Sequence, residues 1–171
     1  MRVAIKWVLA VFVSVFCASF VFAQDIDDLF KSENENERVW SEIEVLLPAF
    51  PKPENLVPFR VGAVEDKKFF IDMASFSVGK DEVLRYTLVI ESASGAKTIS
   101  YEGMRCETSE RRVYAFGHAT DQRWSPPRKS AWAPVPPGAN VYAELAGTYF
   151  CPIGGASIFS AEDAKRALQR R

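Results

Sequence analysis

Two stretches flanking Ser94-Gly95, residues 83–92 and 97–107, alternate apolar and polar side chains with a period of two, and this alternation constrains the fold more than any other feature of the chain. A two- or four-residue loop at Ser94-Gly95 pairs Ile90 with Ile99, Leu88 with Tyr101, Tyr86 with Gly103 and Leu84 with Arg105. One face then gathers Leu84, Tyr86, Leu88, Ile90, Ile99 and Tyr101, and the other Arg85, Thr87, Glu91, Thr98, Ser100, Glu102 and Cys106. A sheet buried on one side asks for that sorting, and a one-residue slip would scramble it.

Residues 59–64, 68–73 and 112–119 are likewise rich in β-branched and aromatic side chains and are bounded by polar or glycine-containing turns, which extends the hairpin to an antiparallel meander of about five strands. Carrying the pairing through the turn at 107–110 sets Cys106 opposite Arg111, Gly103 opposite Tyr114, Tyr101 opposite Phe116 and Ile99 opposite His118. Glycine between two tyrosines suggests rings folding over a residue with no side chain.

The elements around the meander are helical or proline-rich. Trp40, Ile43, Leu46 and Leu47 recur at helical spacing and predict a short helix stopped by Pro48, followed by an extended strap through Pro51, Pro53 and Pro58. After Ala119 the stretch 120–140 holds five prolines with Trp124 and Trp132, neither of which is expected in a regular element. The two rings either plug the open edge or end of the sheet, or form an aromatic platform for a glycan or peptide beside Arg123, Arg128 and Lys129. Residues 141–150 predict a helix with Tyr142, Leu145 and Tyr149 on one stripe, Gly154-Gly155 a hinge, and Ser160 the N-cap of a last helix through Gln169, with Asp163 in a position resembling a capping box.

The beginning of the chain fixes an expected address. Arg2 and Lys6 precede an apolar run from Trp7 to Phe22 that ends in Val21-x-Ala23, the layout of a cleavable export signal over residues 1–23. The run falls short of the roughly twenty apolar residues a spanning helix needs, so no transmembrane anchor is expected after cleavage. Residues 24–39 then form an acidic, flexible arm, and residues 40–171 a single globular domain. Without the leader the chain carries 19 basic against 22 acidic side chains, which argues against a nucleic-acid binder.

Export leaves Cys106 and Cys151 as an even pair in a compartment where disulfides persist, and a bond between them would clamp the 141–150 helix over the less apolar sheet face. Closing that loop is worth roughly 4 kcal/mol in the chain-entropy model. A metal site is not expected, because there is no CxxC and the single His118 supplies too few soft ligands. No glycine-rich phosphate loop or nucleotide fingerprint appears, and no cofactor is expected.

A resemblance rests on short blocks in a fixed order: Lys68-Phe-Phe-Ile-Asp72, Arg85-Tyr-Thr-Leu-Val89, Ser100-Tyr-Glu-Gly-Met-Arg-Cys106, Tyr114-Ala-Phe-Gly117, Trp124, Trp132 and Tyr149-Phe-Cys-Pro152. From about Trp40 to the C-terminus the chain resembles the cryptic neisserial protein (CNP-like) family of exported bacterial envelope proteins. The resemblance implies a periplasmic location, with outer-membrane association as its further extension. It implies no reaction, so no catalytic residue is carried over.

The chemistry of the residues weighs the same way. His118 is the one imidazole and falls at a strand end, where a structural role is the simpler expectation. Arg85 lies diagonal to Glu102 in the expected register, close enough for a cross-strand ion pair, and Asp72 with Glu102 is the pair of acids a glycosidase would need. The expected protein is therefore an α+β domain, a meander with a short N-terminal helix and one or two C-terminal helices. Its expected function is non-enzymatic binding or assembly on an envelope protein or peptidoglycan, through Trp124, Trp132, Arg85, Glu102 and Arg105. An envelope hydrolase acting on a glycan or peptide, and a structural accessory subunit, are the alternatives.

Overall fold

The computed structural model of the chain describes residues 39–62, 66–151 and 160–169. Val64, the expected leader, the expected Gly154-Gly155 hinge and all of the expected acidic arm except Val39 lie outside the described residues. The chain divides into two units, Met1–Trp40 and Ser41–Arg171, and every element below belongs to the second.

Among the described residues seven strands form one antiparallel sheet: β1 (Leu56–Phe59), β2 (Lys67–Val78), β3 (Val83–Ser92), β4 (Lys97–Arg105), β5 (Glu110–His118), β6 (Arg123–Ser125) and β7 (Ala133–Pro134). The order β1-β2-β3-β4-β5-β6 is a meander, and β7 pairs with the other end of β5. The α+β meander expected from the sequence is present, extended by two short strands from the proline-rich stretch. Trp124 lies in β6, against expectation. Pro58 and Pro134 sit in strands at the sheet margins, where a missing N–H costs no ladder bond.

The β3–β4 register differs from expectation by one residue: Val89 faces Ile99, Thr87 faces Tyr101 and Arg85 faces Gly103. The cause is the turn. Ser92 N–H bonds to Ala96 C=O and Gly95 N–H to Ser92 C=O, a three-residue loop closed by Gly95 at φ +82°, a conformation that glycine adopts without steric cost. Polarity does not sort these strands because both sheet faces are covered: all of residues 83–89 are buried. Leu84, Tyr86, Leu88, Met104 and Cys106 share one face with Glu102, and Val83, Arg85, Thr87, Val89, Ile99 and Tyr101 share the other.

β5 pairs with β4 through Tyr101↔Ala115 and Gly103↔Arg112, with a bulge between that frees Tyr114. Tyr114 still lies over Gly103 as the glycine–tyrosine pattern suggests, and a Cβ there would stand 2.8 Å from its Cζ. β2 carries a larger irregularity, where residues 73–76 oppose Tyr86 alone. Ser75 Oγ fills the gap, accepting from Thr87 N–H at 2.9 Å and donating to Asp72 C=O at 2.8 Å.

The first face is covered by the C-terminal helices. Asn140 caps α1 (Val141–Glu144) by accepting from the N–H groups of Tyr142 and Ala143, and the helix widens into a π-helical segment, Leu145–Phe150. The wider winding turns both Tyr149 and Phe150 into the core, where Phe150 meets Tyr86 and Phe76 at 5.1 and 5.5 Å and Tyr149 meets Phe59 at 5.5 Å. Ser160 caps α2 (Ala161–Gln169), accepting from Asp163 N–H at 3.1 Å, and α2 adds Ala164 and Leu168 to the same core. The Cys106–Cys151 disulfide is formed, with Cα atoms 5.2 Å apart. It fastens the helical segment over the apolar face, not the polar one, because the register shift moves Cys106 there.

The short helix expected ahead of Pro48 does not form. Residues 41–52 run as an extended strap across the second face. The strap is held instead by groups distant in sequence, with Ile43 N–H donating to Asp81 Oδ2 at 3.0 Å and Pro48 C=O accepting from Trp124 Nε1 at 2.9 Å. Tertiary partners thus outbid a weak local preference.

Candidate functional site

The strap inserts one acidic side chain into the sheet. Glu42 accepts from Tyr114 Oη on Oε1 at 2.5 Å, and from Arg112 Nη1 at 2.5 Å and Trp132 Nε1 at 3.2 Å on Oε2. Arg85 Nη2 stands 3.6 Å from Oε1. The hydrogen-bond donors come from β5 and the segment leading into β7, 70 to 90 residues distant from Glu42, and Arg85 joins them from β3.

Each donor has its own support. Arg85, 4% exposed, is bound in a fork by Asp81, with Nη1 at 3.1 Å from Oδ1 and Nη2 at 2.6 Å from Oδ2. Arg112 Nε donates to Ser130 Oγ at 2.9 Å, and Ser130 Oγ donates to Val113 C=O at 2.8 Å. The Tyr114 ring packs against Tyr101 at 5.5 Å and edge-on to Trp132 at 6.5 Å, and Arg105 Cζ lies 5.9 Å from the Trp132 ring.

The electrostatics follow from burial and pairing. Burial pushes the Asp81 carboxyl up, but the Arg85 fork and the Ile43 and Val83 N–H groups more than reverse this and hold it below the ordinary carboxylate range. Burial, reinforced by the hydrogen bond to Glu42, pushes the Tyr114 phenol far up, so it stays protonated and donating. An open groove of about 470 Å³ runs alongside, lined by Glu42, Ile43, Leu47, Arg112 and Tyr114.

Four of the residues expected at a contact surface come together on this face, and one does not. Trp124 and Trp132 are half-buried with their indole N–H groups bonded to the strap, and the Trp124 ring meets Phe50 at 5.4 Å and Tyr101 at 6.2 Å. Arg105 also pairs with Glu110 at 3.3 Å and Glu107 at 3.8 Å. Glu102 lies on the opposite face, 1% exposed, accepting from Ser100 Oγ at 2.6 Å and Arg111 Nη2 at 3.2 Å while Arg111 stacks 3.7 Å from the Tyr142 ring. The expected Arg85–Glu102 ion pair is therefore replaced by Arg85–Asp81 and Arg111–Glu102. Burial pushes the Glu102 and Asp72 carboxyls up. Asp72 faces Thr87, on the strap side, so the two acids do not share a cleft and cannot act as a glycosidase pair.

His118 is exposed at its strand end, with Nε2 2.8 Å from Ser125 Oγ. Among the described residues no group of three or more His, Cys, Asp or Glu could hold a metal ion, and no helix is long and apolar enough to cross a membrane. Glu42, Asp81 and Arg112 are absent from the sequence expectations. Nothing local in the sequence marks the distant partners of Glu42.

No curated protein and no solved structure matches the chain. A family model, described as the CNP1-like family, matches residues 35–169, which takes in every element described above. The blocks that carry the resemblance, from Lys68 through Pro152, fall inside that match, and the chain belongs to the CNP1-like family.

Proposed function

We propose that this protein is a non-enzymatic binding or assembly factor of the bacterial periplasm, exported by its leader and acting on an envelope protein. The observation that supports the reading is the strap, which the sheet grips by its polar groups while Ile43, Leu46 and Leu47 stand 44, 76 and 51% exposed. Isolated apolar side chains at a surface are ordinary, but three within five residues on one extended segment suit a protein partner better than a glycan. Crosslinking in the native envelope followed by mass spectrometry tests this. Leu46→Ser with Leu47→Ser should abolish the crosslinked partner without shifting the melting temperature, because neither side chain is buried. An undiminished partner, or retention on peptidoglycan in place of protein, would refute the reading.

One contact favours an envelope hydrolase, the 2.8 Å approach of His118 to Ser125. Its surroundings do not suit a nucleophile and base: His118 is exposed, the nearby Asp121 carboxylate is held by Arg123 at 2.5 Å, and Ser125 Oγ also lies 3.5 Å from Phe116 C=O. A fluorophosphonate probe should leave Ser125 unlabelled, and covalent labelling there would reverse the order of the two readings.

A further inference from the structure

Each side chain of the wall that receives Glu42 also has a partner outside the strap. Arg85 is positioned by Asp81, Arg112 by Ser130, Tyr114 by Gly103 and Tyr101, and Trp132 by Tyr114 and Arg105. Arginine and tryptophan can only donate, and Tyr114 keeps its proton, so the wall presents donors wherever Glu42 presents oxygen. Its charge is unbalanced alone: Asp81 offsets Arg85, and Arg112 is left requiring one anion, which Glu42 supplies. A donor-lined recess that lacks one negative charge selects a carboxylate.

The strap that delivers this carboxylate is lightly held. None of residues 41–50 is buried, and none joins the sheet ladder. Its described attachments are the Glu42 carboxylate, Ile43 N–H on Asp81, Pro48 C=O under Trp124 and the Phe50–Trp124 ring contact. Segments with few buried apolar contacts open at low cost, and the groove beside Arg112 and Tyr114 gives solvent a way to the carboxylate.

We propose that Arg85, Arg112, Tyr114 and Trp132 form a receptor for a carboxylate side chain on an extended acidic–aliphatic segment of a partner protein, with Glu42 as its resident occupant. This rests on the binding reading above and names the partner's chemistry: an acid followed by aliphatic residues, in the pattern of Glu42-Ile43-x-Val45-Leu46-Leu47. The resident competes with the partner, so the partner's apparent affinity is its intrinsic affinity scaled by the fraction of molecules with the receptor open.

The test uses the full chain and a fluorescein-labelled synthetic peptide of residues 41–52, read by fluorescence anisotropy at low salt. Glu42→Ala should bind the peptide at least about tenfold more tightly than the unaltered protein, because the receptor is vacated. Replacing the peptide's glutamate at position 42 by glutamine, or adding Arg112→Gln to the Glu42→Ala protein, should each cost at least about tenfold, as loss of a charge-assisted pair requires. Should Glu42→Ala fail to fold, Glu42→Gln, which keeps the shape of the side chain but removes its charge, serves as a weakened occupant that the peptide should displace more readily. Equal binding by the altered and unaltered proteins, indifference to the peptide's charge, or unfolding of both variants would overturn the receptor and leave Glu42 a structural latch. Crosslinking to an envelope protein that depends on Leu46 and Leu47, alongside absent peptide binding, would sink this proposal and spare the binding reading.

Discussion

Gly103 shows how one absent side chain organises its surroundings. Its strand position brings the Tyr114 ring onto the backbone itself, and with that ring comes the phenol that bonds Glu42. Gly103→Ala would force a methyl group into the ring, and overpacking of this kind costs about 1–3 kcal/mol. Denaturant unfolding of Gly103→Ala should show a loss in that range, whereas an unchanged midpoint would mean the ring moves away freely. This contact was legible in the sequence because a strand glycine set between aromatic residues leaves a bare stretch of backbone for a neighbouring ring to cover. Glu42 was not legible. Its partners Arg112, Tyr114 and Trp132 lie 70, 72 and 90 residues away, and only the assembled sheet brings them together.

Among the elements, strands β3, β4 and β5 were readable from composition to within two residues at each end, and the register between them was not. Alternation identifies a face when one side is buried, but residues 83–89 are buried on both sides, so polarity alone could not arbitrate between adjacent registers. The decision fell to the Ser92–Ala96 turn. The strap was misread for a related reason, since a helical spacing of Trp40, Ile43 and Leu47 is matched equally by an extended segment that leaves most of its side chains at the surface. Its attachment carries a pH dependence. Asp81 is held below the ordinary carboxylate range, so the stability it contributes is complete above about pH 4, the unfolded-state value, and is lost as the pH falls through the lower folded value. Hydrogen exchange at Ile43 N–H, corrected for its intrinsic rate, should therefore accelerate relative to β3 amides on acidification below about pH 4. A constant ratio down to global unfolding would exclude Asp81 as the anchor.

For the molecule as a whole, the disulfide ties the strand end at Cys106 to the helical segment ending at Cys151, 45 residues further along. The pairing was readable because setting aside the expected leader leaves two cysteines, but the face it covers depended on the register and so escaped prediction. In the chain-entropy account a loop of this length is worth roughly 4 kcal/mol. Cys151→Ser should lower unfolding stability by about that amount in denaturant titration, and a loss under about 1 kcal/mol would indicate that the helices hold the apolar face unaided.

The margins of the sheet carry a last consequence. Pro58 in the first strand, Pro134 in the seventh and Pro126-Pro127 directly after the sixth have no amide hydrogen to offer a newcomer. Growth by recruiting a foreign backbone into the ladder is thereby discouraged at these points of the margin. A mutation that swaps Pro58 for a residue with an N–H would give the first strand a donor for lateral pairing that the native residue withholds.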